Sequence, residues 1–130
     1  MKVTRLNSGS PWEGIVGYSR VVVRGDAAWV SGTTSTVDGL VVHPGDAGAQ
    51  TRQALVTLAA ALERAGFSLN DVVRTRMFVT DISRWEEIGR VHGEVFGDVR
   101  PASTMVQVSA LIDPAMLVEI EADAVRGAGA

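Results

Sequence analysis

The sequence predicts an α+β fold, a mixed β-sheet with two helices on one face. Three observations point there. Alternating apolar and polar residues mark strands at 18–24, 27–33, 72–80, 101–108 and 116–124. Two intervening stretches repeat apolar residues every three to four positions, as a helix with one buried face does. The resulting order is hairpin, helix, strand, helix, strand, strand, so helices fall among strands without alternating one for one. Such a sheet leaves its second face bare, to be solvated or covered by another subunit.

Taken in order, residues 7–17 are rich in Gly, Ser and Pro and read as loop. Gly25-Asp26 joins the first two strands as a two-residue hairpin turn. Residues 34–48 carry Gly39, Pro44, Gly45 and Gly48 and form a loop with a short strand at 40–42. A helix begins at Asp46 or Ala47, with Thr51, Leu55, Leu58, Leu62 and Ala65 on its buried face. Gly66 suits a left-handed C-terminal cap. Ser83-Arg84-Trp85-Glu86 reads as a capping box opening the second helix. That helix sets Trp85, Ile88, His92, Val95 and Phe96 on one side and ends at Gly97. The last two strands flank a turn around Asp113-Pro114, and the chain frays from about 126 into Gly127-Ala128-Gly129-Ala130.

A chain of 130 residues amounts to one domain. At that size, folding buries roughly two-thirds of the unfolded chain's surface. The absence of cysteine excludes disulfides, thiolate zinc sites and cysteine nucleophiles. Met1-Lys2-Val3-Thr4-Arg5-Leu6 does not read as a signal peptide, and no run approaches the ~20 apolar residues of a membrane helix, so a cytoplasmic location is expected. The net charge of −3 argues against nucleic acid as the main partner. An apolar share of 46% leaves surface to bury between subunits.

On the final strand, Val118, Ile120, Ala122 and Ala124 face one way, and Glu119, Glu121 and Asp123 the other. Same-face neighbours there lie about 7 Å apart, so the carboxylates repel unless partnered. Arg74 and Arg76 share a face at matching spacing. Two readings stay open: a cross-strand ion-pair ladder, or a ladder with at least one carboxylate spared for a ligand. His92, on an apolar helix face, reads as a satisfied core histidine, and His43 lies in a loop. With no ligand spacing they make no metal site. Ser103 has no base adjacent in sequence, which argues against a serine nucleophile. Trp12 reads as a cap on the core rather than a lid. Gly25, Gly32 and Gly39 do not form a phosphate-cradling loop.

Four segments in register resemble the Rid (YjgF-like) family. They are Val16-Gly17-Tyr18-Ser19-Arg20 with Val30-Ser31-Gly32-Thr33; Gln50-Thr51-Arg52-Gln53-Ala54-Leu55 running to Ala65-Gly66-Phe67-Ser68-Leu69-Asn70-Asp71-Val72-Val73; Thr75-Arg76-Met77-Phe78-Val79-Thr80-Asp81-Ile82; and Pro101-Ala102 with Leu117-Val118-Glu119-Ile120-Glu121-Ala122. The resemblance implies a chorismate-mutase-like fold and a homotrimer whose sheets form a central barrel with clefts between subunits. It implies cofactor-free hydrolysis of enamines and imines such as 2-aminoacrylate. Glu119 matches the water-orienting glutamate, and Tyr18 the cleft tyrosine. Ser31, Gly32 and Thr33 match the glycine-bearing strand end, and Ser103, Thr104 and Met105 match the strand that supplies the substrate-binding arginine.

That arginine is missing. The family pattern Pro-Ala-Arg-Ser here reads Pro101-Ala102-Ser103-Thr104, and Gly89 stands where an asparagine is usual in the second helix. With Pro11-Trp12-Glu13 and Gly17-Tyr18-Ser19-Arg20, this resembles a divergent branch. The expectation is a small-molecule cleft, for an imino or keto acid, with little 2-aminoacrylate deaminase activity. Two alternatives are a true deaminase in which Arg20 or Arg100 replaces the missing arginine, and an RNA-directed role of the endoribonuclease or translation-inhibitor kind. The acidic charge argues against the last.

Overall fold

A computed structural model describes residues 2–127. Strand β1 (Val3–Leu6) pairs antiparallel with β2 (Val21–Arg24), and β2 with β3 (Ala27–Thr33) across a tight turn whose Gly25 adopts φ 60°. Two short strands, β4 (Thr36–Val37) and β5 (Leu40–Val41), form a separate ribbon. Helix α1 (Ala47–Arg64) leads to β6 (Val72–Val79), and α2 (Trp85–Phe96) precedes β7 (Ala102–Gln107) and β8 (Val118–Val125). The main sheet runs β1-β2-β3-β8-β6-β7, with β6 and β7 parallel and the other pairs antiparallel. This is the α+β mixed sheet with two helices that the sequence pattern requires.

The core lies between the sheet and the helices. Leu55, Leu58 and Leu62 of α1 and Ile88 of α2 meet Val21, Val30, Val79, Val118 and Ile120 of the strands. Asp46 caps α1 by accepting a hydrogen bond from the Ala49 amide at 3.0 Å. Gly66 follows the helix with φ 85°, the left-handed conformation expected there. Gln50, fully buried, joins α1 to the approach of β8. Its amide donates to the Ala115 carbonyl at 2.8 Å, and its oxygen accepts from the Leu117 amide at 2.8 Å.

Several local expectations are corrected. Ser83 does not cap α2. Asp81 accepts from the Ser83 amide at 3.0 Å and from its hydroxyl at 2.6 Å, and caps a 3-10 turn over Ile82–Arg84 that leads into α2. The extra turn rotates Trp85 outward, where it is 58% exposed, and Val91 joins Ile88 and Phe96 as the buried residues. A capping box does occur at Ser68 and Asp71. The stretch expected as pure loop before β2 holds a π-helical turn, Glu13–Gly17. Buried Glu13 accepts hydrogen bonds from the amide and hydroxyl of Ser8, which folds the segment back on itself. Residues 128–130 of the expected frayed tail lie outside the described residues.

Candidate functional site

The sheet's register decides what each side chain can reach. Residues directly opposite one another share a face. Arg74 stands opposite Asp123, Arg76 opposite Glu121, and Phe78 opposite Glu119. Because Ile120, Ala122 and Ala124 are buried against the helices, these pairs occupy the helix-free face. Arg76 reaches Glu121 at 3.5 Å and Asp123 at 3.3 Å. The ladder is therefore partial. Arg74 makes no ion pair among the described residues, and neither does Glu119.

Glu119 is held against backbone. Between Val30 and Thr33 the register of β3 against β8 shifts, so Ser31 and Gly32 bulge from the ladder beside it. A Cβ at Gly32 would lie 2.7 Å from Glu119 Oε2 and 2.8 Å from its Cδ, so any side chain there displaces the carboxylate from its present position. Arg20 stiffens the bulge. Its Nη1 donates to the Ser31 and Gly32 carbonyls at 3.2 and 2.8 Å and to Thr33 Oγ1 at 3.1 Å. Ser31 Oγ donates to the Ser19 carbonyl at 2.6 Å. Tyr18 lies under the Arg20 guanidinium, 5.8 Å from ring centroid to Cζ. Tyr18 and Ser31 line a concavity of about 540 Å³ with Arg5, Asn7, Glu13 and Val22. Burial pushes the Glu119 pKa above the ordinary carboxylate value, Arg20 pulls it partly back, and Glu121 pushes it further up.

Ser103 looks the other way. Ser103 pairs with Thr75, and Thr104 with Arg76, across the parallel β6–β7 ladder. Thr104 thus shares the helix-free face with Glu119, whereas Ser103 and Met105 lie on the helix side. Ser103 Oγ sits 2.8 Å from Thr75 Oγ1, which sits 2.9 Å from His92 Nε2. His92 is held as a half-buried, bonded side chain, its ring 4.7 Å from that of Phe96. It lines a second concavity, of about 370 Å³, with Gly93, Phe96, Gly97, Arg100 and Pro101. Within one subunit, then, Tyr18, Ser31, Gly32, Thr33 and Glu119 gather at one place and Ser103 and Met105 at another. Among the described residues no cluster of His, Asp and Glu is arranged to hold a metal ion.

Sequence reasoning missed Arg20 as the brace of the bulge and Thr75 as the link between Ser103 and His92. The signal for Thr75 was present. It shares parity with Met77 and Val79, and a polar residue on a core face needs a partner.

The fold recurs in known proteins. A family model described as Endoribonuclease L-PSP matches residues 10–126. The chain belongs to this family, the YjgF or Rid family. A crystal structure of a Mycobacterium tuberculosis YjgF-family member is 52% identical, with a TM-score of 0.88 over 96% of this chain and 100% of that one. An uncharacterized Streptomyces coelicolor protein is 38% identical over 97% of this chain and 94% of its own length. The 3-aminoacrylate deaminase RutC of Acinetobacter baylyi is 45% identical over 62% of this chain and 63% of that protein. The Rid-family frame thus accounts for the order of strands and helices. Among the described residues, no helix is long and apolar enough to cross a membrane.

Proposed function

We propose that this Rid-family protein is a homotrimer with small-molecule clefts between subunits, and that it binds or hydrolyses an imine- or enamine-type metabolite. The observation that carries this reading is Glu119: a half-buried carboxylate without an ion-pair partner among the described residues, packed against bare Gly32 backbone on the face no helix covers. Burying such a group without a salt bridge is costly, and a ligand or ordered water is what it can serve. Its raised pKa makes it a stronger base once ionised. In hydrolysis, Glu119 takes a proton from water as the oxygen attacks the C=N carbon. The nitrogen takes that proton to give a carbinolamine; the new hydroxyl then gives up its own proton, which passes to the nitrogen as the C–N bond breaks, leaving a carbonyl and ammonia. No cofactor is needed. The relationship to a 3-aminoacrylate deaminase supports this chemistry.

Ser103 and Glu119 lie on opposite faces of one sheet, so a cleft that uses both draws them from different copies. At position 103 a hydroxyl replaces the guanidinium that would grip a carboxylate with two parallel hydrogen bonds. That contact is worth about 1.5–3 kcal/mol, or about tenfold to a hundredfold in affinity. Slow turnover of 2-aminoacrylate follows. The test is ammonia release from 2-aminoacrylate generated in situ. Ser103→Arg is expected to accelerate it by about tenfold or more, and Glu119→Gln to slow it about a hundredfold or more. An already fast wild-type rate that Ser103→Arg leaves unchanged contradicts the reading.

One observation favours a second reading, a deaminase with a displaced arginine. Arg100 lines the concavity beside His92 and makes no ion pair among the described residues. Arg20 does not suit that role, because its guanidinium already braces the bulge. If Arg100 grips the substrate, Arg100→Ala lowers the rate as strongly as Glu119→Gln. An unchanged rate removes this alternative.

A further inference from the structure

We propose that Ser103, Thr75 and His92 form a hydroxyl relay at the sheet edge, which sets Ser103 as donor or acceptor toward a small oxo or imino acid bound beside it. The proposal rests on the cleft reading above and adds the groups that control Ser103.

The relay runs from outside inward. Ser103 is exposed on the edge strand, Thr75 is fully buried, and His92 is half-buried on α2. The two links measure 2.8 and 2.9 Å. Thr75 has one hydroxyl proton and two partners, so it donates to one and accepts from the other. When His92 Nε2 carries a proton, the ring donates to Thr75, Thr75 donates to Ser103, and the Ser103 proton turns outward. When Nε2 is bare, Thr75 donates to the ring and Ser103 donates inward to Thr75. Only lone pairs then face the ligand, and outward donation costs the inward bond.

Protonation of the ring enforces the first state. Burial holds the His92 pKa below its ordinary value, so the ring is neutral at neutral pH and switches on the acid side. Of the groups around it, β6 and β7 contribute uncharged Thr75 and Ser103, and Arg100 is the cation that shares its concavity. On the neighbouring helices, exposed Arg52 and Glu94 pair with each other at 2.6 Å. With the neutral ring protonated on Nδ1, an anionic ligand meets a donor in acid and an acceptor in base, and its affinity rises as pH falls.

The experiment titrates pyruvate, as the oxo-acid probe, into the wild-type protein and into T75V, T75S and S103A, from about pH 5 to about pH 8. Circular dichroism checks that each variant folds. Wild-type affinity is expected to rise about tenfold toward acid pH. T75V removes the inward acceptor, so Ser103 is free to donate outward at every pH; its affinity is expected to lie near the wild-type acid limit throughout, with most of the rise lost although His92 still charges. T75S restores the rise. A T75V curve parallel to wild type, or weakened equally at every pH, overturns the relay, as does failure of T75S to restore the rise. If wild type binds no pyruvate at millimolar concentration, the cleft reading fails instead, and nitrogen-15 NMR of His92 judges the relay alone. S103A and T75V are then expected to change the ring's tautomer signal, and an unchanged signal in both overturns it.

Discussion

At the scale of single residues, Gly32 and Glu119 form one unit. A methyl group at position 32 would strike the Glu119 carboxyl at 2.7 Å, so Gly32→Ala must move that side chain or the bulge. The expected cost is about 1–3 kcal/mol of stability, read as a lower urea midpoint, with ligand binding lost alongside. Glu119 itself carries a pH signature. Its folded pKa is raised above the unfolded value, so the folded state holds more protons between the two. Stability therefore falls as pH rises through that interval. Glu119→Gln cannot ionise and removes this fall. Its urea midpoint should exceed that of wild type at neutral pH, with the gap closing below the ordinary carboxylate range. At the same time, turnover should drop about a hundredfold or more. Parallel midpoint curves for the two proteins would contradict it. Much at this scale was legible in the sequence. Period-two alternation put Glu119 opposite the core, while the run of three carboxylates against two arginines left a complete ladder and a spared carboxylate both open. The direction of Ser103 was not, because it depends on the register of β6 with β7, which are parallel and distant in sequence.

At the scale of elements, the sheet is tied to α1 by one polar side chain. Gln50 satisfies the Ala115 carbonyl and the Leu117 amide just before β8 brings Val118 and Glu119 into place. Gln50→Leu fills the space but strands both backbone groups. The expected loss is about 2–4 kcal/mol, measured by chemical denaturation. Asp46→Ala, which removes the α1 cap, should cost about 1 kcal/mol. Both helices and five of the main-sheet strands were legible from periodicity, and the Gly66 stop from its chemistry. Strand β1 carried too short a pattern to stand out from the start of the chain. The start of α2 was misread because Asp81 and Ser83 both offer capping oxygens, and Asp81 takes the amide first. The π-helical turn at Glu13–Gly17 depends on the Glu13–Ser8 contact, which no periodicity encodes.

At the scale of the whole molecule, the helix-free face is the feature that calls for a partner. It carries Trp29, 45% exposed, and Val106, 42% exposed, beside Phe78, Arg74, Arg76 and the acidic row of β8. Apolar side chains among unfinished ion pairs suit a surface covered by further copies of itself. Trp29 stands opposite Asp123, so Trp29→Glu sets like charges side by side on that face and is expected to lower the assembled mass. The presence of a bare face was legible from the order of elements; what covers it was not, because a single chain's pattern is the same whether water or another copy lies against it. The most direct measurement is the light-scattering mass of the wild-type protein at micromolar concentration. A homotrimer with clefts between its subunits predicts three times the mass of one chain. The mass of a single chain would contradict it.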